Sequence, residues 1–426
     1  MKLNTYLTYH RALLAIQYLL FPFLGFLTFI VPLLKKRSQF ERSSNSISFK
    51  DQGIVASHCF HVSSEGELEQ CLSIIVRLLR EDHYIELVYT SDSVARKCTQ
   101  LSNEHPRLNL LRMPLVTFPI NSFRKWVTAK KFYMCRYDFF SELVLYGSRK
   151  DVTFTLLSAS LKGKKLHGLR RKFMADQFRL FDLIVAASET ERDRFLSLDN
   201  QLNVIAFEFR LLQISKRIEM APDKLSEVLE LSGFIEVLKT RDPLKSLVIG
   251  SAWPSELEIF RDKKVVKSVQ SGELLITIAP HSLSETSILS IVSLIGEIAP
   301  ELKLVRANEV SEFHPGEVYI NTTPGVLLES YSFFGHALVG GGHGRSIHSV
   351  LEPYLAGCRV YCGPRVHRST EFDFIKKQSP NDIVVINELE TISDFIEGYD
   401  RGGEIDKRNN LVLSYQESFE DMMERF

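Results

Sequence analysis

The chain has 426 residues, 45% of them hydrophobic and 24% charged, with 52 Lys/Arg against 52 Asp/Glu. That length holds roughly two to three domains with sizeable cores, and the composition excludes whole-chain disorder. A formal net charge of zero excludes a globally basic nucleic-acid binder.

The charge is unevenly spread. Residues 1–50 carry Lys2, Arg11, Lys35, Lys36, Arg37, Arg42 and Lys50 against the single acid Glu41, a net +6, which leaves −6 for residues 51–426. Residues 12–34 carry no charge at all. A helix of that length crosses a bilayer core, and the Lys35-Lys36-Arg37 that follows places the next domain on the cytoplasmic side. The apolar run is long for a signal peptide, and no A-x-A-like site follows it. Pro22, Gly25 and Pro32 also permit a kinked helix lying in the membrane interface, and a buried soluble helix is the plainest alternative. An uncleaved N-terminal membrane-anchor helix with a basic collar is therefore expected over 1–45.

After a polar stretch the pattern alternates. Residues 54–60 read as a buried strand, 67–79 as an amphipathic helix and 84–90 as a strand. Strands follow at 153–158 and 183–188, the latter leading into a helix from Glu189. Such alternation predicts a parallel sheet with helices on both faces over 46–215. Residues 211–245 are charged, Leu-rich and helix-like without a strand signal, which puts a connector at 216–245. A second series then has strands at 247–250, 274–279, 303–306, 317–320, 336–341, 359–362 and 382–386. It forms a second α/β domain over 246–408, closed by an amphipathic helix in 409–426. The expected fold class is α/β, with two Rossmann-like doubly wound domains and ligands outside the carboxyl ends of the strands, in the cleft between the domains. The cysteines Cys59, Cys71, Cys98, Cys135, Cys358 and Cys362 are scattered without a CxxC pair. They read as packed thiols of a reducing compartment.

Four stretches can carry chemistry. In 339–364 an apolar strand runs into Gly340-Gly341-Gly342, then His343-Gly344-Arg345, with a helix expected from an N-cap at Ser346. Glycines let backbone approach a ligand, and a helix start offers free amides to a phosphate. His348 and Glu352, four apart, would share one helix face, with Glu352 placed to accept from ribose hydroxyls. The spacing is not that of a P-loop, and a tight strand–helix turn is the other reading. Second, His281 ends the strand Ile278-Ala279-Pro280. Third, Ser251 and Trp253 end another strand in Gly250-Ser251-Ala252-Trp253-Pro254, with Trp253 either core or pocket lining. Fourth, Ser63-Ser64-Glu65-Gly66-Glu67 precedes the first helix, where a carboxylate either caps the helix or acts as a general base.

Taken together, the ordered set resembles the 3-deoxy-D-manno-octulosonate (Kdo) transferases of lipopolysaccharide synthesis, lipid A Kdo transferases with the GT-B fold. The set is the N-terminal anchor, S-x-G-E at Ser64–Glu67, G-S-x-W-P at Gly250–Pro254, A-P-H at Ala279–His281, V-G-G-G-x-G-x-x-I-H-x-x-L-E at Val339–Glu352, and a later Gly363-Pro364. It covers nearly the whole chain, and the Gly–His–Glu block is its most specific part. The resemblance implies an inverting glycosyltransferase that moves Kdo from CMP-Kdo to a lipid A precursor at the cytoplasmic face of the bacterial inner membrane. It implies Glu67 as general base, and Ser251, Trp253, His281, Gly341, Gly342, Arg345, His348, Ser349 and Glu352 as the CMP-holding set. Ser63, Arg136 and Arg210 fall on the acceptor or cleft side. No metal and no cofactor are implied, since a nucleoside monophosphate leaving group can be neutralised by Arg, His and backbone amides. The expected partners are CMP-Kdo, the lipid A precursor and membrane lipids.

The sequence also departs from the family. The usual E-T-E-L-W-P element reads Arg136-Tyr137-Asp138-Phe139-Phe140-Ser141, with the first acid reversed to Arg136 and the second, a catalytic candidate, shortened to Asp138. The usual N-A-R-L-S reads Ser158-Ala159-Ser160-Leu161-Lys162, and Ser349 replaces an Asn. Most changes fall in the acceptor half, so an acceptor surface unlike the usual one is expected. The alternatives are a GT-B transferase using another nucleotide sugar or another lipid acceptor, and a catalytically weak nucleotide- or lipid-binding paralogue.

Overall fold

The computed structural model describes residues 19–20, 23, 26–27, 30–45, 48–113, 127–136, 144, 147, 151–161, 167–367, 369–396 and 401–426. The chain divides into two compact units, Met1–Gln213 and Ile214–Phe426.

The first unit is built on a seven-stranded sheet of β1 (His58–Val62), β2 (Ile85–Tyr89), β3 (Leu108–Arg112), β4 (Lys131–Cys135), β5 (Thr153–Ala159), β6 (Leu183–Ala186) and β7 (Val204–Ala206). The strands are parallel in the order β3-β2-β1-β4-β5-β6-β7. Every residue of β1 and β2 is buried, as a sheet covered on both faces requires. Helix α1 (Pro32–Ser44) precedes the sheet, and α2 (Glu65–Arg80) follows β1. In α2 the side chain of Ser64 accepts from the Glu67 amide, two acids sit in the first turn and Arg77 and Arg80 in the last, in keeping with the helix dipole. Its buried residues Leu68, Cys71, Ile74, Ile75 and Leu78 recur at helical spacing on the sheet-facing side.

Strands β3, β4 and β7 lie outside the predicted set. β7 has three half-buried residues, too few to show a period. β4 opens on an exposed Lys131, and β3 ends in Arg112, a residue 2% exposed. Arg112 is tolerated inside because the Asp92 carboxylate lies 2.7 Å away and the Tyr89 and Phe40 rings flank its guanidinium at 4.8 and 5.2 Å. The Asn45 side chain donates to the Arg112 carbonyl (3.0 Å) and accepts from its amide (2.8 Å). Arg37 of α1 donates to the carbonyls of Thr90 and Met113, just beyond β2 and β3. The α1 helix is thereby tied to the carboxyl edge of this sheet.

Most of the expected anchor over 12–34 lies outside the described residues. Among the described residues no helix is long and apolar enough to cross a membrane. Leu19, Leu20, Phe23, Phe26, Ile30 and Leu33, which are described, are all exposed.

The second unit repeats the plan with β8 (Ser246–Ala252), β9 (Leu275–Pro280), β10 (Lys303–Arg306), β11 (Glu317–Ile320), β12 (His336–Val339), β13 (Arg359–Cys362) and β14 (Ile383–Val385). These strands are again parallel, in the order β10-β11-β9-β8-β12-β13-β14. Where a connector was expected, the chain forms α3 (Phe209–Glu219) and further short helices up to Thr240. The last helix, α4 (Arg401–Met423), starts eight residues before the predicted segment and includes Gly402 and Gly403. It is pinned to the second unit by Arg408, 1% exposed, which pairs with Asp382 at 3.1 Å and lies 4.5 Å over the Tyr354 ring.

Strand order reverses beside β1 and β4 in the first sheet and beside β8 and β12 in the second. At such a point the two following connections leave to opposite sides and open a crevice at the strand ends. Each candidate motif follows one of these strands or a direct neighbour.

Candidate functional site

In the second unit, β8 ends in a register shift against β9 between Gly250 and Ala252, with Ser251 at a positive φ of 52°. The irregularity turns the chain so that Trp253 projects past the strand end. There the Trp253 ring stacks on His281 (centroids 4.2 Å, 24° between planes), and His281 stacks on His348 (4.5 Å, 29°). The Arg345 guanidinium lies 4.3 Å over the Trp253 ring, and the indole Nε1–H donates to His348 Nε2 at 3.3 Å. An indole nitrogen only donates, so His348 Nε2 is bare and the ring proton of the neutral form sits on Nδ1. Burial, reinforced by the nearby His281, holds the His348 pKa below the usual histidine value, while Glu256 opposes the shift. Four residues singled out along 95 positions of sequence thus form one stack of a guanidinium, an indole and two imidazoles.

The loop after β12 closes the other side. Gly341 has a φ of +101°, a conformation that side chains avoid. At Gly342 an added Cβ would lie 2.5 Å from the Gly363 nitrogen and 2.6 Å from its Cα, so the loops after β12 and β13 meet through glycine alone.

The helix expected from Ser346 is not there. Residues 341–350 form a loop, and the helix is a single turn, Leu351–Leu355. Pro353 is the reason. A proline is accommodated only in the first turn, because further in its ring meets the carbonyl four residues back. The first amides of that turn are already taken: Glu371 Oε2 accepts from Ser349 Oγ (3.0 Å), the Val350 amide (3.0 Å) and the Leu351 amide (3.2 Å). The anion-binding amides expected there are therefore filled by a carboxylate, and any phosphate cradle falls to the glycine loop. His348 and Glu352 do not share a helix face. His348 is in the loop, and Glu352 is half-buried in the turn; burial, with a smaller contribution from the Glu352 charge, raises the pKa of Tyr331.

One residue absent from the predicted set sits at the centre. Glu256 is fully buried, accepts from the Trp253 amide (3.0 Å) on Oε2 and from Ser255 Oγ (3.1 Å) and the Gly341 amide (3.3 Å) on Oε1, and lies 3.5 Å from His343 Nδ1. His343 Nε2 in turn contacts the Ile386 carbonyl at 3.0 Å. A cavity of about 320 Å³ lies behind this loop, lined by His343, Ser255, Glu258 and Asn387 to Glu390.

In the first unit, Glu67 stands in the first turn of α2, buried, with Oε2 accepting from the Ser63 amide and from Ser63 Oγ, both at 2.7 Å. The carboxylate is thus oriented by its own helix start, as the capping reading expected. Arg136 follows β4 at a positive φ of 54°, and Ser158, near the end of β5, has 51°. Non-glycine residues in that region store strain and cluster at ligand sites. Arg136 also faces a residue missed in the sequence. Glu208, 4% exposed at the start of α3, has its pKa raised by burial, against the opposing charges of Arg210 and Arg136. Its carboxylate accepts from the Arg210 amide at 3.3 Å. Asp138 lies outside the described residues. Among the described residues no group of three His, Cys, Asp or Glu side chains is arranged to hold a metal ion.

The fold is similar to that of the UDP-GlcNAc 2-epimerase from Neisseria meningitidis. That structure superposes with a TM-score of 0.55 at 10% identity, over 85% of this chain and 100% of that one. The chain has the two-unit α/β architecture of the GT-B class. Residues 34–207 match the family model described as 3-Deoxy-D-manno-octulosonic-acid transferase (kdotransferase). The 3-deoxy-D-manno-octulosonic acid transferase of Chlamydophila psittaci (strain ATCC VR-125 / 6BC) is 20% identical over 324 residues, 73% of this chain and 70% of that protein. The C-terminal CMP-Kdo binding domain of WaaA from Acinetobacter baumannii is similar to 45% of this chain over 97% of its own length, at 15% identity and a TM-score of 0.34. The first unit thus matches the Kdo transferase family model, and the chlamydial Kdo transferase is similar over most of the chain.

Proposed function

We propose that the protein transfers Kdo from CMP-Kdo to a lipid A precursor, with inversion at the anomeric carbon and Glu67 as the general base. The observation that carries the donor half is the stack of Arg345, Trp253, His281 and His348 at the switch point of the second sheet. In the proposed reaction the acceptor hydroxyl attacks the anomeric carbon of Kdo and gives its proton to the Glu67 carboxylate. The bond from that carbon to the CMP phosphate breaks, and CMP leaves with the electron pair. Arg345 and the backbone amides of the glycine loop offset the phosphate charge, and His348 offers an Nδ1–H donor in its neutral form. Glu352 accepts from the ribose. Ser63 orients Glu67 by its two hydrogen bonds.

The lipid acceptor fits a membrane-bound site at the cytoplasmic face of the inner membrane. The exposed apolar residues from Leu19 to Leu33 precede Lys35 and Lys36, which suits insertion beside anionic headgroups. Tethering raises the effective concentration of a membrane-held acceptor.

A second reading concerns the acceptor alone. Arg136 replaces an acid of the family and shares the strand-end region with Arg210 and the buried Glu208. This favours a lipid whose phosphorylation or headgroup differs from the usual precursor.

Glu67→Gln tests the base. Transfer should fall by about 10²–10⁴-fold, as for loss of a positioned general base, while calorimetric CMP binding stays within about twofold of the parent. Near-normal turnover in the variant removes Glu67 from the role.

A further inference from the structure

Glu256 lies in a charged-looking run, Pro254-Ser255-Glu256-Leu257-Glu258, yet it is fully buried, as the apolar Leu257 beside it is. We propose that Glu256 is the positioning residue of the donor site: its carboxylate locks the turn after β8 to the turn after β12, so that the ring stack is assembled before a nucleotide arrives. The inference deepens the nucleotide-sugar reading and rests on it only for the ligand.

The hydrogen-bond pattern supports this. Oε2 holds the Trp253 amide, and Oε1 holds the Gly341 amide, 85 residues away in sequence, together with Ser255 Oγ. The two backbone amides are obligate donors, one on each oxygen. Only a carboxylate presents an acceptor on both sides. Glutamine in the same rotamer turns an NH₂ group onto one of the two amides, whichever way it flips. The site therefore selects charge as well as shape.

A buried carboxylate next to a phosphate site carries a desolvation cost and repels the incoming anion. Its compensation is geometric. Trp253 and Gly341 are the backbone positions from which the indole face and the glycine loop are presented. With both fixed, the loops lose little further freedom on binding, which is how preorganisation raises affinity. His281 and His348 contact the indole directly and are held with it.

The test uses the full chain and its intrinsic fluorescence. The sequence has two tryptophans, Trp126 and Trp253, so Trp126→Phe leaves Trp253 as the only reporter. In that parent the stacked indole should be quenched. Adding Glu256→Gln should raise and red-shift the emission and weaken CMP binding by about tenfold or more, while Glu258→Gln, on the same turn, changes neither. Unchanged emission with unchanged CMP affinity overturns the proposal. Should Glu256→Gln fail to fold by circular dichroism, amide exchange on the unmutated chain decides. The Trp253 and Gly341 amides should be protected despite lying in loops, and exchange at free-loop rates overturns the assignment. A parent that binds no CMP refutes the donor reading, while emission and exchange still judge the role of Glu256.

Discussion

At the residue scale, the chemistry rests on side chains whose environments set their roles. Glu352, half-buried beside the stack's loop, should report on the ribose: Glu352→Ala is expected to weaken CMP by about tenfold, the loss of one or two hydrogen bonds to a ligand, with a thermal midpoint within a few degrees of the parent. Unaltered CMP affinity would remove it from the site. His61 makes a different prediction. It is fully buried in β1, its Nε2 lies 2.6 Å from Thr90 Oγ1, and burial lowers its pKa from 6.5 to about 3. The folded pKa is below the unfolded one, so the unfolded state binds more protons in acid. Its contribution is complete above pH 6.5 and is lost as pH falls from there toward 3. About 2 kcal/mol of stability should disappear between pH 7 and pH 5 from this residue. His61→Gln should flatten that part of the urea-midpoint profile, and an unchanged slope would contradict the assignment. The four residues of the ring stack stood out in the sequence because they follow apolar runs and are types that bind phosphate or stack. Glu256, Glu208 and Glu371 did not. An isolated glutamate in a charged stretch looks like solvated surface until the fold buries it and surrounds it with donors.

At the element scale, the parallel plan was readable from runs of four to seven apolar residues separated by helical stretches, and most strand positions agree within a few residues. Strand β3 escaped because it ends on Arg112, whose partners Asn45 and Asp92 come from elsewhere in the chain, β4 because it opens on the exposed Lys131, and β7 because three half-buried residues show no period. The helix after the glycine loop starts later than its pattern suggests because Pro353 limits how far a helix can extend before it. The final helix extends back past its expected start through Gly402 and Gly403. Their cost, about 1 kcal/mol each, is opposed by the burial of Arg408 against Asp382 and Tyr354. The glycine loop gives the sharpest test at this scale. Gly342→Ala forces its new Cβ against Gly363 and should cost about 1–3 kcal/mol with a matching loss of CMP affinity. Gly66→Ala, in the open first turn of α2, meets nothing within 4 Å and should be neutral or slightly stabilising in the same urea titrations. Equal effects of the two substitutions would show that the close approach at Gly342 is unimportant.

At the scale of the whole molecule, one topological feature recurs. Each unit reverses its strand order once, and in each unit the candidate residues gather at the strand ends beside that reversal: Ser63, Glu67 and Arg136 after β1 and β4, and Trp253 and Gly341 after β8 and β12. That recurrence explains how motifs spread over nearly three hundred positions of sequence reduce to two clusters. Net neutrality, by contrast, conceals a basic N-terminal segment offset by an acidic remainder, and the proposed membrane role rests on the first of these. The central claim is the donor. The most direct measurement offers the purified full-length protein in lipid vesicles a lipid A precursor with CMP-Kdo, UDP-sugars or GDP-sugars in turn, and weighs the lipid product by mass spectrometry. Mass gains corresponding to one or more Kdo units with CMP-Kdo alone are the expected result. Sugar transfer from a UDP- or GDP-sugar, with none from CMP-Kdo, would contradict it.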